Sequence, residues 1–418
     1  MTKRERVAAA ISHRQPDKIP VDIGATGQTG LSASVIYQLR KKLGLKEEPV
    51  RIAEIYQLLG EVDEQLRDYF GSDVIGLNGT HDMFGNKICG AQPFSMTDGT
   101  PCTVSETFRF DVRGGDYYTY AQGDTALPPC AKMPKDSYFF DGIVRNGDFD
   151  EDALTPEEDW KEAFSVMSDE SAKYYEAQSK KLFEETDYAI IGNLGGGGLG
   201  DAAILPGISE KHPKGIRRMD DWLMAHILYP DYIKTVFEMQ TQVMLKNLEI
   251  YRQAVGDRIQ IVWISGTDFG TQKGEFVSPD VFRDLYKPFY RRINDWVHKN
   301  TNWKTFFHTC GSIYNILPDL IEMGVDIVNP VQVSAANMDA QRLKDRFGGQ
   351  IVFWGGGVDT QKTLPYGTPE EVYAQVQERL RIFGKGGGYV FGSIHNIVAK
   401  TPIENIMAMV EAVRDFNR

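Results

Sequence analysis

Residues 303–310 read WKTFFHTC. The apolar and aromatic positions carry no regular polar alternation, as expected of a strand covered on both faces. Strands of that kind belong to parallel sheets with helices packed outside. The same kind of run recurs along the chain: IPVDI (19–23), DVIGL (73–77), YAIIGNL (188–194), RIQIVWIS (258–265), VDIVNPV (325–331), IVFWGGGV (351–358) and GYVFGSI (388–394). Eight runs, separated mostly by helix-like segments, predict an α/β fold of the (β/α)8 TIM-barrel type. An open doubly wound sheet is the alternative. The segment PEEVYAQVQERLRIF (369–383) shows the helical period, with Val372, Val376, Leu380 and Ile382 on or near one face. A proline opens it and Gly384 follows it, which are ordinary start and stop signals.

Residues 1–418 read as a single barrel domain. One stretch breaks the alternation: residues 82–147 are rich in Gly, Thr, Tyr and Phe, with TDGT, RGGD and QGD turns. TVSETFRFDV and DYYTYA alternate with period two and predict hairpins. This is a β-rich insertion after the second strand, suited to a lid over a site or to the surface of a homodimer. Residues 148–187 are acidic and read as helical.

The chain has 418 residues, 42% hydrophobic and 25% charged, with a formal net charge of −12. That acidic balance disfavours nucleic acid as a general partner. The opening MTKRERVAAAISHRQPDK lacks the apolar centre of a secretion signal, and no apolar run approaches the ~20 residues that span a bilayer. Four cysteines, Cys89, Cys102, Cys130 and Cys310, form no disulfide framework in a chain this long. These features together predict a cytoplasmic protein with no membrane partner.

In a parallel barrel the chemistry gathers where strands end. The predicted strand ends are followed by Gln28, Asn193, Asp268, Gln272, His308, Cys310, Gln332, Asp359, His395 and Asn396. The third strand meets GGGGLG (195–200), which has neither the Lys-Ser/Thr of a Walker A loop nor dinucleotide-fingerprint spacing. It reads as a loop where another backbone or a ligand comes close. His308 and Cys310 stand two apart, so on a strand both side chains share a face and point into the mouth. Zinc takes imidazole and thiolate, and a catalytic site needs three protein ligands with one position open. His395, at the same rim, is the candidate third ligand. A buried histidine beside a buried thiol is the competing reading of that pair, and spacing leaves both open. Cys89, Cys102 and Cys130 lie in the insertion and read as packing thiols.

The sequence resembles the uroporphyrinogen decarboxylase superfamily. The likeness is carried by HTCGSI (308–313), MGVDIVNPVQ (323–332), KDRFGGQIVFWGGGVDTQ (344–361), GGGYVFGSIHNI (386–397) and KTPIENI (400–406). Upstream, GTDFGTQKGEFVSPDVFRDLYKPFY (266–290) and RERVAAAISHRQPDKIPVD match as well. The resemblance implies a TIM barrel. The decarboxylase branch is cofactor-free and grips substrate carboxylates with an Arg-rich loop after the first strand. Here that loop reads DIGATGQTG, without arginine.

The other branch comprises zinc- and corrinoid-dependent methyltransferases with His-x-Cys and a later Cys as zinc ligands. His308 and Cys310 match the first two, and His395 stands where the later Cys falls. The resemblance therefore implies zinc at His308, Cys310 and His395, and a corrinoid carried by a partner protein, since no D-x-H-x-x-G sequence occurs here. One thiolate and two imidazoles leave zinc near +1, which favours polarising an oxygen. The expected reaction moves a methyl group from a small O-methyl donor, such as a methoxylated aromatic, to the partner's cobalt. Asp268 and His395 are the catalytic candidates, Asp268 as proton donor or as orienter of a ligand histidine, with helix capping its bland use. Gln28, Asn193, Gln272, Gln332 and Asp359 are the substrate-binding candidates. For Gln272, Gln332 and Asp359 the competing use is to cap loops. Trp263 and Trp354 read as core. A metal-free decarboxylase and a non-catalytic ligand-binding barrel are the rival functions.

Overall fold

The computed structural model describes residues 1–418. Seven parallel strands form one curled sheet, in the order Tyr389–Val390, Val352–Trp354, Ile327–Asn329, Lys304–His308, Ile261–Ser265, Ala189–Asn193 and Val74–Leu77. Neighbours in the sheet are neighbours in the chain, the arrangement of a TIM-type barrel. The inner faces bury Val74, Ala189, Ile261, Phe306, Ile327 and Val352 in one cluster. The outer faces join the larger core shared with the helices.

The eighth run behaves differently. Residues 19–23 form no extended strand and make one parallel bridge, Val21 to Phe391. The reason lies in their amides. Pro20 has no N–H. Ile19 N–H donates to Asn417 Oδ1 at 2.8 Å, and Val21 N–H donates to the Asp73 carboxylate at 2.9 Å. Side chains take amides that a full ladder would use. The barrel is nonetheless stitched on both sides of Val21, by Asp22 N–H to Phe391 O and Asp73 N–H to Val21 O.

Helix Lys3–Ile11 opens with a Thr2/Glu5 capping box and buries Val7 and Ile11 against the inner cluster. Its Arg4 N–H reaches Asp187 O and its Ala10 O accepts from Gly388 N–H, both at strand starts. The helix thus lies across the N-terminal end and leaves the C-terminal end as the mouth. Helix Pro369–Phe383 starts with a Thr368/Glu371 capping box and buries Val372, Val376, Leu380 and Phe383, with Ile382 only partly buried. No helix is long and apolar enough to cross a membrane.

Two smaller sheets accompany the barrel, one antiparallel and one mixed. Phe110–Arg113, Asp116–Thr119, Ala131–Met133 and Asp141–Gly142 form a meander. Its first hairpin turns on Gly114 and Gly115, both at positive φ, as a two-residue type I′ turn demands. The second sheet recruits Val50–Glu54 and Leu59–Gly60, upstream of residue 82, to Pro101–Val104 and Gln92–Ser95.

Candidate metal centre

Strand Lys304–His308 is buried from Thr305 onward, so its last residue is delivered to the mouth in a fixed direction. His308 Nε2 stands 3.5 Å from Cys310 Sγ, and the His308 and His395 rings are 5.3 Å apart between centroids. One donor atom from each of His308, Cys310 and His395 lies within 4.8 Å of the others. Two ligands of a tetrahedral zinc stand about 3.5 Å apart, given Zn–N and Zn–S bonds of about 2.0–2.3 Å. The three side chains therefore fit a common divalent ion with small adjustments.

The surroundings fit as well. His308 Nδ1 is 2.6 Å from Asn329 Oδ1, and Asn329 Nδ2 donates to Trp354 O at 3.0 Å. With the amide so anchored, Oδ1 accepts from Nδ1–H, and the His308 lone pair sits on Nε2, facing Cys310. Burial lowers the pKa of both histidines, with His395 brought to about 3 by burial and then by His308. Neutral imidazole is the ligating form. The Cys310 thiol is pushed well up by burial, then by the Asp268 and Asp201 carboxylates. These neighbours disfavour the anion, so a thiolate at Cys310 calls for a cation beside it.

The turn after His308 is held from two sides. Asp268 Oδ1 accepts from Cys310 N–H at 2.7 Å and lies 3.9 Å from His308 Nε2. Gln332 Oε1 accepts from Gly311 N–H at 2.7 Å. Asp268 caps no helix; it is exposed in the loop after Ile261–Ser265. Gln332 is committed to the Cys310–Gly311 turn, and Asp359 Oδ1 to Gln361 N–H at 2.8 Å. Gln272 is exposed on its loop, where its carbonyl accepts from Ala336 N–H. Asn193 ends its strand in register with Trp263. The Gln28 Oε1 atom is buried without a hydrogen-bond partner.

The sequence reading overlooked Asp201 and Asn329. The Gly-rich loop before Asp201 crosses the end of the neighbouring strand so closely that a Cβ on Gly197 would lie 1.7 Å from Ile264 O. Tyr290 pins it: its hydroxyl accepts from Leu199 N–H at 3.1 Å and meets Ser265 Oγ at 2.7 Å. Ser265 faces Tyr290 because the strand register slips between Trp263 and Ser265, an irregularity of the kind common beside active sites. Asp201 is thereby set at the mouth. Burial raises its carboxyl to about 7 against the Ala203 N–H, with the Asp268 charge adding a smaller upward push. Its one signal in the sequence was its place directly after GGGGLG. Beside His395, Asn396 joins two loops, donating to Gly27 O and Gln57 Oε1 and accepting from Gly30 N–H.

Residues 212–416 match the family model described as uroporphyrinogen decarboxylase (URO-D). A uroporphyrinogen decarboxylase of Coxiella burnetii is 26% identical over 192 residues, 45% of this chain and 48% of that protein. A methylated-thiol–coenzyme M methyltransferase of Methanosarcina mazei is 24% identical over 139 residues, 33% of this chain and 34% of that protein. A solved methyltransferase from Methanosarcina mazei shares the fold, with a TM-score of 0.58, 16% identity and 100% of both chains covered. The chain fits the uroporphyrinogen decarboxylase superfamily. Its similarities include both decarboxylases and a methyltransferase of that superfamily. It spans about half the length or less of the curated relatives it matches. In this chain the first-strand loop, residues 22–30, carries no arginine, and the His-Cys-His cluster occupies the mouth.

Proposed function

We propose that this protein is a zinc-dependent methyltransferase. It moves a methyl group from a small O-methyl donor, such as a methoxylated aromatic, to the cobalt of a separate corrinoid protein. The observation that carries this reading is the convergence of His308, Cys310 and His395, from two strand ends far apart in the chain, on one point.

Zinc bound there supplies Lewis acidity to the donor oxygen, because one thiolate and two imidazoles leave it a net positive charge. The chain's own residues do the rest. Asn329 keeps the His308 lone pair aimed inward, and Asp268 and Gln332 hold the Cys310 turn. The methyl group leaves without its bonding pair; the oxygen keeps the pair and takes up a proton. Asp268 and Asp201 are the carboxyl groups near enough to handle that proton. A methylated thiol, as in the name of the Methanosarcina mazei relative, is the competing donor.

Elemental analysis of the purified chain is the first test, with one zinc expected and its loss in Cys310→Ser. Incubation with reduced corrinoid protein and 2-methoxyphenol, followed by the visible spectrum of cobalt, tests the transfer. Several relatives are decarboxylases, which favours one second reading, a metal-free decarboxylase. A folded chain without zinc that releases carbon dioxide from a small acid would establish that reading instead.

A further inference from the structure

Trp263 departs from the rest of its strand. Ile261, Val262, Ile264 and Ser265 are buried, whereas Trp263 stays partly exposed. It packs against the inner cluster of the barrel, as Ile261 two residues earlier does, so its side chain points to the interior. The direction of its ring follows from Gly266, one residue past the strand end. A Cβ there would lie 2.7 Å from the ring's Cζ2 and 3.3 Å from Asp201 Oδ2. The indole therefore leans toward the mouth, side by side with Asp201, and no side chain at 266 covers it. Its Nε1 is buried and has no acceptor in the protein. Trp160, Trp222, Trp303 and Trp354 are buried by contrast, and Trp296 is on a helix outside the barrel.

We propose that Trp263 is the platform on which the ring of an aromatic methyl donor stacks, its methoxy oxygen turned to the His308–Cys310–His395 centre. The inference rests on the proposed function and narrows its donor to a flat, aromatic one. A partly exposed indole inside a barrel mouth offers a face to a planar ring, and offset or edge contacts between two rings add to the area they bury. A donor as small as methanol gains nothing from that face.

The test uses the full zinc-loaded chain carrying 5-fluorotryptophan, with Trp263→Phe to assign the Trp263 resonance. Addition of 2-methoxyphenol should shift that resonance, and methanol should not. By calorimetry, Trp263→Leu should bind 2-methoxyphenol about tenfold more weakly than the unaltered chain, with Trp263→Phe close to it. Zinc content should be equal in all three. A Trp263 resonance that stays put at saturating 2-methoxyphenol, or equal affinity in the Leu variant, overturns the inference. Should the Leu variant not fold, the fluorine resonance alone decides. Absence of zinc from the unaltered chain would instead defeat the proposed function, which keeps the two failures apart.

Discussion

His308 and Asn329 are register partners on adjacent strands, and the histidine Nδ1 meets the asparagine Oδ1 at 2.6 Å. Both are buried, Asn329 completely, so the contact leaves the imidazole little freedom to turn. Asn329→Leu removes the acceptor and strands a buried ring nitrogen. Zinc affinity should fall about 10- to 100-fold, the usual effect of losing a partner that orients a ligand. Competition against a chromophoric chelator measures it, and unchanged affinity would refute this role for Asn329.

Asp268 meets the Cys310 backbone through one oxygen, 3.9 Å from His308 Nε2, and its side chain is exposed. Asp268→Asn keeps an acceptor for that N–H but discards the acid. It should retain zinc near the original content and lose methyl transfer by about 10²-fold or more, the scale of general acid catalysis. Asp268→Ala should lose both. Zinc analysis beside single-turnover rates separates the two outcomes, and full activity in the Asn variant would exclude a proton role.

Asp22 is 1% exposed and accepts from Trp354 Nε1 at 2.8 Å, Ala25 N–H and Thr29 Oγ1. Burial outweighs these bonds and raises its carboxyl from 3.8 to about 6. The folded state then binds more protons than the unfolded state between those two values. Stability should fall as pH rises through that window, by up to roughly 3 kcal/mol for a single group. Melting curves of Asp22→Asn between pH 4 and 7 should be flatter than those of the unaltered chain. Parallel curves would count against the assignment.

Arg217 and Glu210 form a buried pair at 2.6 and 2.7 Å, with the guanidinium stacked 3.8 Å above the Trp160 ring. Removing one partner strands the other charge out of water. Glu210→Ala should cost about 3–5 kcal/mol in urea unfolding. A loss under 1 kcal/mol would mean that water reaches the stranded arginine.

Gly197→Ala would drive a methyl carbon into the Ile264 carbonyl. The loop must lift, taking Asp201 and the Leu199–Tyr290 contact with it. The expected result is slower methyl transfer with zinc content kept, since no zinc candidate lies on that loop. Equal loss of zinc would show that the loop also supports the metal centre.

Sequence by itself determined the strand runs, the helix over 369–383 and the residue types at the mouth. These are local matters: apolar runs with no polar period need cover on both faces, and capping residues fix where a helix starts. It also placed His308 and Cys310 two residues apart, but the strand ends at His308, and the turn held by Asp268 and Gln332 rather than a shared strand face sets Cys310 against it. Only the tertiary structure decided that the run at 19–23 contributes one bridge, since its amides are taken by Asp73 and Asn417 from distant segments. The sequence offered His395 as a partner of His308, but the tertiary structure fixed their 5.3 Å ring separation, and it alone tied Asn329 to the imidazole and leaned Trp263 into the mouth beside Asp201. Each depends on sheet closure, strand register or a loop crossing, which bring together residues whose separation along the chain says nothing about their distance in space.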